Sequence, residues 1–332
     1  MKANYSAFTS ASLSKSLADK ADWSWAIASQ SLSAYMPNGS AWPRISIVTP
    51  SYNQGEFIEE TIQSVITQGY PNLEYFIIDG GSTDNSVEII KKYSKHITGW
   101  ISEKDQGAWD AVLKGSKMCT GKWFNWLNSD DVLMPNSLFN FAEIASFCQT
   151  YKWISGGRID INKEGYCVRS TCPWIRSPNL LAFGQGFFPQ DATFVQLEEF
   201  NQASQKVPKE LKNIFDTALH NILLSRSKPL LTTAIFSSMR WHGKQLTSND
   251  AIRAQEYRLI RSLGFAPKLN WQQKVLHRLS QTRFHELVIQ VTRLLLSLGL
   301  VKADDFDALV YDPWARKYEL KSARKAYLSN NF

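Results

Sequence analysis

From Arg44 onward the apolar and polar positions fall into runs whose period switches between strand and helix. Ile45-Ser46-Ile47-Val48 is a short β-branched run stopped by Pro50, the pattern of a buried strand. Phe57, Ile58, Ile62, Val65 and Ile66 recur at helical intervals, and Gly69-Tyr70-Pro71-Asn72 reads as a turn. Residues 73–78 predict a second strand ending at Asp79-Gly80-Gly81, and residues 87–93 a helix that Ser82 or Asp84 is placed to cap. Residues 123–127 predict a further strand that delivers Asn128-Ser129-Asp130-Asp131 at its carboxyl end. Repeated β-α-β units predict a doubly wound α/β sheet, in which ligands bind outside the carboxyl ends of the strands. Three polar clusters stand at those ends: Pro50 to Asn53, Asp79 to Ser82, and Asn128 to Asp131.

Beyond Pro135 the periods are mixed. Residues 153–161 and 166–170 predict strands joined by an Asn162-Lys163-Glu164-Gly165 hairpin turn, residues 211–225 a helix, and residues 230–236 a strand. One helix is expected at residues 13–32, broken at Pro37-Asn38-Gly39, and from Asn249 the pattern is helical. Residues 271–300 form a basic amphipathic stretch, which packs on its own domain, forms a dimer interface or lies on an anionic membrane.

Composition narrows the function classes. An apolar share of 44% and a charged share of 20% in 332 residues describe a globular chain long enough for one large domain with an appendage. The net charge of +7 suits anionic partners, but no Lys/Arg-dense block or nucleic-acid motif is present, which sets nucleic acid aside. Cys119, Cys148, Cys167 and Cys172 occur in no C-x-x-C pair, so free thiols are expected rather than a disulfide framework or a zinc site. With no long apolar run, the expected location is cytoplasmic, with peripheral contact at the inner face of the plasma membrane left open.

Each polar cluster has a chemical reading and a plain one. Adjacent carboxylates at Asp130 and Asp131 repel one another, and a divalent cation that keeps positions open for substrate phosphates would offset the cost; alternatively one of them caps the helix expected near Pro135 and Asn136. Asp79 can accept hydrogen bonds from a base or ribose, or from its own turn amides. Thr49 and Ser51 can donate to a phosphate or base and Tyr52 can pack on a base, or the segment is an ordinary strand-to-helix turn. Twelve tryptophans suggest sugar-stacking faces, with Trp109, Trp126 and Trp174 nearest the motifs, although most are expected in the core.

Taken in order, Thr49-Pro50-Ser51-Tyr52-Asn53, Asp79-Gly80-Gly81-Ser82-Thr83-Asp84 and Asn128-Ser129-Asp130-Asp131 resemble the signature of the inverting family 2 glycosyltransferases, in the branch with Asn-Ser-Asp-Asp. The resemblance runs from about Arg44 to Leu138. It implies a GT-A-type, Rossmann-like mixed sheet over residues 41–245, with a nucleotide-binding half at 41–135 and an acceptor-binding half at 136–245. An N-terminal extension (1–40) and a helical C-terminal extension (246–332) would flank it. It also implies a nucleotide-sugar donor contacted by Thr49, Pro50, Ser51, Tyr52, Asp79, Ser82, Asp110, Asn128, Asp130 and Arg240, and Mn or Mg held by Asp130, Asp131 and His242. Asp105, Gly107, Asp110, Ala111 and Gly115 match the family's intervening motif, but Leu113 stands where that motif has Asn.

Inverting transfer needs a carboxylate to take the acceptor's proton. Asp216, in Phe215-Asp216-Thr217-Ala218-Leu219, occupies the family's place for it, and Asp191, in Pro189-Gln190-Asp191-Ala192-Thr193-Phe194, is its rival. Arg240-Trp241-His242-Gly243-Lys244-Gln245 resembles the family's closing segment, with Arg240 expected to grip the diphosphate. The expected function is transfer of a sugar, from UDP or a related carrier, to a hydroxyl of a glycan or lipid-linked saccharide in cell-surface polysaccharide synthesis, with a homodimer left open. A nucleotidyltransferase is disfavoured because the first strand is followed by one Gly and no basic residue in Ser51 to Glu56, and a dehydrogenase because no Gly-x-Gly-x-x-Gly follows it. A non-catalytic glycan or nucleotide-sugar binder on a decayed transferase is the rival from another class.

Overall fold

The computed structural model describes residues 35–171, 188–243, 245, 250–265, 271–280, 287–288, 290–291, 294–295, 298, 300, 306–312 and 317–322. The helix expected at residues 13–32, Cys172 and Trp174 lie outside them. Strands β1 (Ile45–Ser51), β2 (Leu73–Asp79), β3 (Gly99–Ser102) and β4 (Trp123–Trp126) alternate with helices α1 (Ile58–Ile66), α2 (Ser86–Lys92) and α3 (Ala108–Ser116). The four strands are parallel neighbours in the order β3-β2-β1-β4. Chain order therefore reverses between β1 and β4, and the crevice beyond their carboxyl ends is where such sheets bind ligands.

All seven residues of β1 are buried because both faces of the sheet are covered. Ile45 and Ile47 pack with Ile58, Ile62 and Val65 of α1 and Ile90 of α2, whereas Val48 joins Trp109 and Val112 of α3 on the other face. The strand runs through Pro50 rather than stopping before it. Pairing with β4 ends at Val48 and Trp126, so Pro50 sits where β1 has a strand neighbour on one side alone, and its missing N–H breaks no ladder there.

The sheet continues through β5 (Val132–Leu133), α4 (Ser137–Phe147), β6 (Trp153–Asn162), β7 (Cys167–Thr171), β8 (Thr193–Gln196), α5 (Leu197–Ser204), α6 (Phe215–Arg226) and β9 (Leu230–Trp241). β8 is antiparallel to both β4 and β6, and β6 runs parallel to β9, which makes the sheet mixed. The β6–β7 hairpin forms where the sequence places it. Helices α7 (Asp250–Ser262) and α8 (Trp271–Ser280) follow, as expected. The described C-terminal residues also hold β10 (Asp307–Asp312) and β11 (Lys317–Ser322), a hairpin whose β10 extends the sheet alongside β9. Ala308 and Val310 of β10 share one core with Val48, Phe76 and Ile260, so apolar residues far apart in sequence close the same layer.

Helix α3 approaches β1 and β2 at Gly115. A Cβ there would come within 2.5 Å of Val48 Cγ1 and 3.1 Å of Ile78 Cγ1, so a glycine is what lets the helix lie on the strands. Gly115→Ala is expected to destabilise the protein by about 1–3 kcal/mol through overpacking, read as a lower denaturant midpoint with an unchanged slope.

Candidate active site

Two signature loops are tied to each other at the carboxyl ends of β1 and β2. Asn53 adopts a left-handed conformation (φ 51°); its N–H donates to Ser82 Oγ (2.8 Å) and its Oδ1 accepts from the Thr83 N–H (2.8 Å). The Gly55 N–H donates to Asp84 Oδ2 (2.9 Å) and the Gln54 N–H to Ser86 Oγ (2.9 Å). Asp84 also caps α2 by accepting from the Ser86 N–H (2.9 Å), as the sequence suggests. Asp79 is fully buried, and its carboxylate accepts from the Gly81 and Ser82 N–H groups, Ser82 Oγ and Ser102 Oγ. Gly81 (φ 82°) makes the turn possible and lies against the backbone of Lys104.

These loops open on a cleft of about 780 Å³. Its lining includes Pro50, Ser51, Tyr52, Asn128, Asp130, Asp131, Asp216 and Arg240, which brings together candidates from four separate stretches of the chain. Thr49, Asp79, Ser82, Asp110, Asp191 and His242 are not lining residues. The Thr49 hydroxyl is buried against Tyr75 Oη (3.0 Å), while Asp79 and Ser82 spend their polar atoms on the turn. Asp110 accepts from the Gln106 N–H (3.1 Å) at the start of α3 and lies 3.4 Å from Lys114. All four are engaged in hydrogen bonds that shape the loops. Leu113, in the place of the family's Asn, packs against the core. Trp109 stacks on Phe215 (4.9 Å between centroids) inside the core, while Trp126 reaches the cleft wall with 2% of its surface exposed.

The paired carboxylates do not cap α4. The residue before that helix is Asn136, itself left-handed (φ 61°), and Asp130 and Asp131 turn to other partners. Asp131 accepts from the Arg240 N–H (3.0 Å) and from Asn128 Nδ2 (3.2 Å). Burial, then the nearby charges of Asp130 and Asp191, push its carboxyl well above the ordinary range, so a positive charge at this spot would be strongly favoured. Asp130 Oδ2 lies 2.9 Å from His242 Nε2; the imidazole packs on Phe57 (4.7 Å), and its Nδ1 is buried with no hydrogen-bond partner among the described residues.

An oxygen and an imidazole that converge in this way fit a hard divalent cation whose remaining positions go to phosphates. Among the described residues no three His, Cys, Asp or Glu side chains are grouped so as to hold a metal ion, so Asp130, Asp131 and His242 do not form a three-residue cage. Asp131, with its oxygens engaged, supports the turn behind Asp130.

Arg240 departs from its expected role. With 2% exposure, its guanidinium donates to the carbonyls of Asp130 (3.0 Å) and Lys163 (3.0 Å) and to Glu60. Its donors are directed into the protein, so it braces the Asp130-Asp131 turn instead of presenting a fork to a diphosphate. Lys104, beside Gly81, is the cleft cation that sequence reasoning passed over. It follows β3, a short half-buried strand with weak alternation.

The two rival carboxylates part company. Asp191 is buried and ion-paired with Arg158 (3.1 Å), and it accepts from Ser237 Oγ. Arg158 also holds Asp160 (3.0 Å), so this buried pair belongs to the wall between β6 and β9. Asp216, at the start of α6, lines the cleft, and burial raises its carboxyl to about 6. Glu256 of α7, buried, accepts from the backbone N–H groups of Lys212 (2.8 Å), Asn213 (3.0 Å) and Ile214 (3.0 Å), and so holds the turn that presents Asp216. Nothing in the local pattern of Glu256 announces this contact; the signal appears when α7 folds back. Gln190 also lines the cleft and joins it to Trp126 through the Trp126 carbonyl.

Residues 46–164 match the sequence profile of Glycosyl transferase family 2. This stretch is a family 2 glycosyl transferase domain. It is 36% identical over 94 residues to TuaG of Bacillus subtilis, named as a candidate teichuronic acid biosynthesis glycosyltransferase, covering 27% of this chain and 36% of TuaG. It is also 36% identical over 94 residues to "Uncharacterized glycosyltransferase YibD" of Escherichia coli, covering 28% of this chain and 27% of YibD. The matches thus span between about a quarter and about a third of these relatives.

Among solved structures, S. aureus TarS in complex with UDP-GlcNAc superposes with a TM-score of 0.54 at 15% identity, covering 70% of each chain. The mannosyltransferase PcManGT from Pyrobaculum calidifontis, in complex with GDP-Man and Mn²⁺, gives 0.53 at 14% identity, covering 78% of this chain and 75% of its own. At such identity the likeness is one of fold, and the fold of the family 2 domain is the GT-A mixed α/β sheet.

The buried pair in the wall yields a stability prediction. Arg158→Met leaves Asp191 without its buried ion-pair partner and is expected to cost about 3–5 kcal/mol, measured by equilibrium unfolding.

Proposed function

We propose that the protein transfers a sugar from a nucleotide diphosphate donor to a hydroxyl of a glycan or lipid-linked acceptor, with inversion at the anomeric carbon. The observation that carries the proposal is the meeting of Asp130 and Asp216 in one cleft from opposite halves of the sheet. Residues 41–245 are the transferase unit in this reading: 41–135 bind the nucleotide, 136–245 face the acceptor, and 1–40 and 246–332 flank them. The TarS complex supports a UDP-linked donor, and TuaG, by its name, supports work on a cell-surface polysaccharide.

Pro50, Ser51, Tyr52 and the Gly80–Gly81 turn form the nucleotide side of the cleft, with Asp79 shaping that turn from beneath. Asp130 and His242 are the groups that would hold Mn or Mg, in keeping with the Mn²⁺ of the PcManGT complex, and the cation would neutralise the departing diphosphate. Asp216 takes the proton from the acceptor hydroxyl. That oxygen bonds to the anomeric carbon as the bond to the donor phosphate breaks, and the electron pair leaves with the diphosphate. Trp126 and Phe215 line the cleft together with Asp216.

Asp216→Asn is expected to lower kcat by about 100-fold or more with little change in donor affinity. A carboxylate with its pKa at about 6 is the active base when ionised, so wild-type kcat should fall by about tenfold per pH unit below about 6 and level off above it. A flat profile through that range rejects Asp216 as the base. Asp130→Ala is expected to abolish the rise in melting temperature that UDP-sugar gives with Mn²⁺; an unchanged rise rejects the phosphate-side role of Asp130.

A further inference from the structure

Helix α8 carries a stripe of mixed chemistry. Trp271, Val275 and Leu279 recur every fourth residue and are 73%, 50% and 46% exposed. Lys274 and Arg278 are also exposed and fall on the same side of the helix, one position before Val275 and Leu279. Beyond α8 the apolar part of the pattern continues. Val288 is buried and Leu295 packs against the core, whereas Leu287, Val291, Leu294 and Leu298 are 40–62% exposed. Core contact thus accounts for one side of this segment, and large apolar side chains point to solvent on another. The stretch from Trp271 to Lys302 holds Lys274, Arg278, Arg283, Arg293 and Lys302 against the single carboxylate Glu286. Among the described residues no helix is long and apolar enough to cross a membrane.

We infer that this C-terminal segment docks flat on an anionic lipid bilayer. A soluble surface does not gain from placing Trp, Val and Leu in water beside Lys and Arg. At a bilayer interface the apolar groups enter the acyl boundary, the Trp ring settles at headgroup level, and the basic stems reach lipid phosphates. A second copy of this chain is a poorer occupant, because a symmetric contact through the α8 stripe would set Lys274 and Arg278 against their own equivalents. A neutral bilayer would leave these cations without counterions. The inference stands apart from the reading of the cleft, since it uses none of its residues.

Vesicle sedimentation tests it, with phosphatidylcholine vesicles, with and without phosphatidylglycerol, and the full chain. Wild-type protein is expected to bind the anionic vesicles at least tenfold more tightly than the neutral ones, and to release as salt is raised. The variant K274E/R278E should lose most of that preference, and L287S/V291S/L294S/L298S should weaken binding to anionic vesicles. Both variants should keep the wild-type melting temperature and UDP-sugar binding, because the altered side chains are exposed and distant in role from the cleft. Three results overturn the inference: no sedimentation of wild-type protein with anionic vesicles, equal binding to neutral ones, or folded variants that bind as wild type does. Analytical ultracentrifugation adds a fourth, because a dimer that the leucine variant dissociates would assign the stripe to a second copy.

Discussion

Placing two adjacent carboxylates in a half-closed cleft is electrostatically unfavourable, and the local architecture answers that cost. Asp131 is buried beside Asp130 and within the field of Asp191, which drives its carboxyl toward the neutral form. The protein offsets this with a backbone amide from Arg240, an amide donor from Asn128 and the charge of Arg158. Arg240 is the hub: one residue of β9 holds the Asp131 carboxylate, the Asp130 carbonyl, the Lys163 carbonyl of the β6–β7 turn and Glu60 of α1. Four parts of the chain therefore meet at Arg240, and Asp130 Oδ2 pairs with His242.

The rim at the carboxyl ends of β1 and β2 obeys a different constraint. Here the signature residues work mostly on one another. Asn53, Ser82, Thr83, Asp84 and Asp79 exchange hydrogen bonds that close two loops into one rigid rim. Such a rim places Pro50, Ser51, Tyr52 and the glycine turn along one wall of the cleft, and Tyr52 is the exposed side chain among them. The polarity of a motif is thus a poor guide to which of its atoms reach a ligand, because buried polar atoms must first be satisfied.

The parallel half of the sheet was legible because its signals are local: β-branched runs, helical spacing and glycine turns lie within a few residues of each other. The pairing of Asn162 to Gly165 with a hairpin was equally local. Less legible were β3, whose residues are half-exposed, and β10, which is recognisable as a strand when β9 lies beside it. Of the candidate site residues, Pro50, Ser51, Tyr52, Asn128, Asp130, Asp131 and Asp216 do meet in the cleft. Thr49, Asp79, Ser82 and Asp110 were chosen by type and place, and their hydrogen bonds hold the loops around the cleft.

By itself the sequence determined β1, β2 and β4 with the helices after β1 and β2, the carboxyl ends at which polar residues gather, and the kinship of residues 46–164, since all of these are written in short-range spacing. What only the tertiary structure decided was the division of labour among charged groups. Asp191 and Asp216 look alike on paper; one meets Arg158 across 33 positions in a buried ion pair, while the other stands at a helix start facing the cleft. Arg240 reads as a phosphate grip until Glu60, 180 positions away, takes its guanidinium. The free energy of a charge depends on its partners and on its distance from water, and both are set by contacts between residues far apart in the chain.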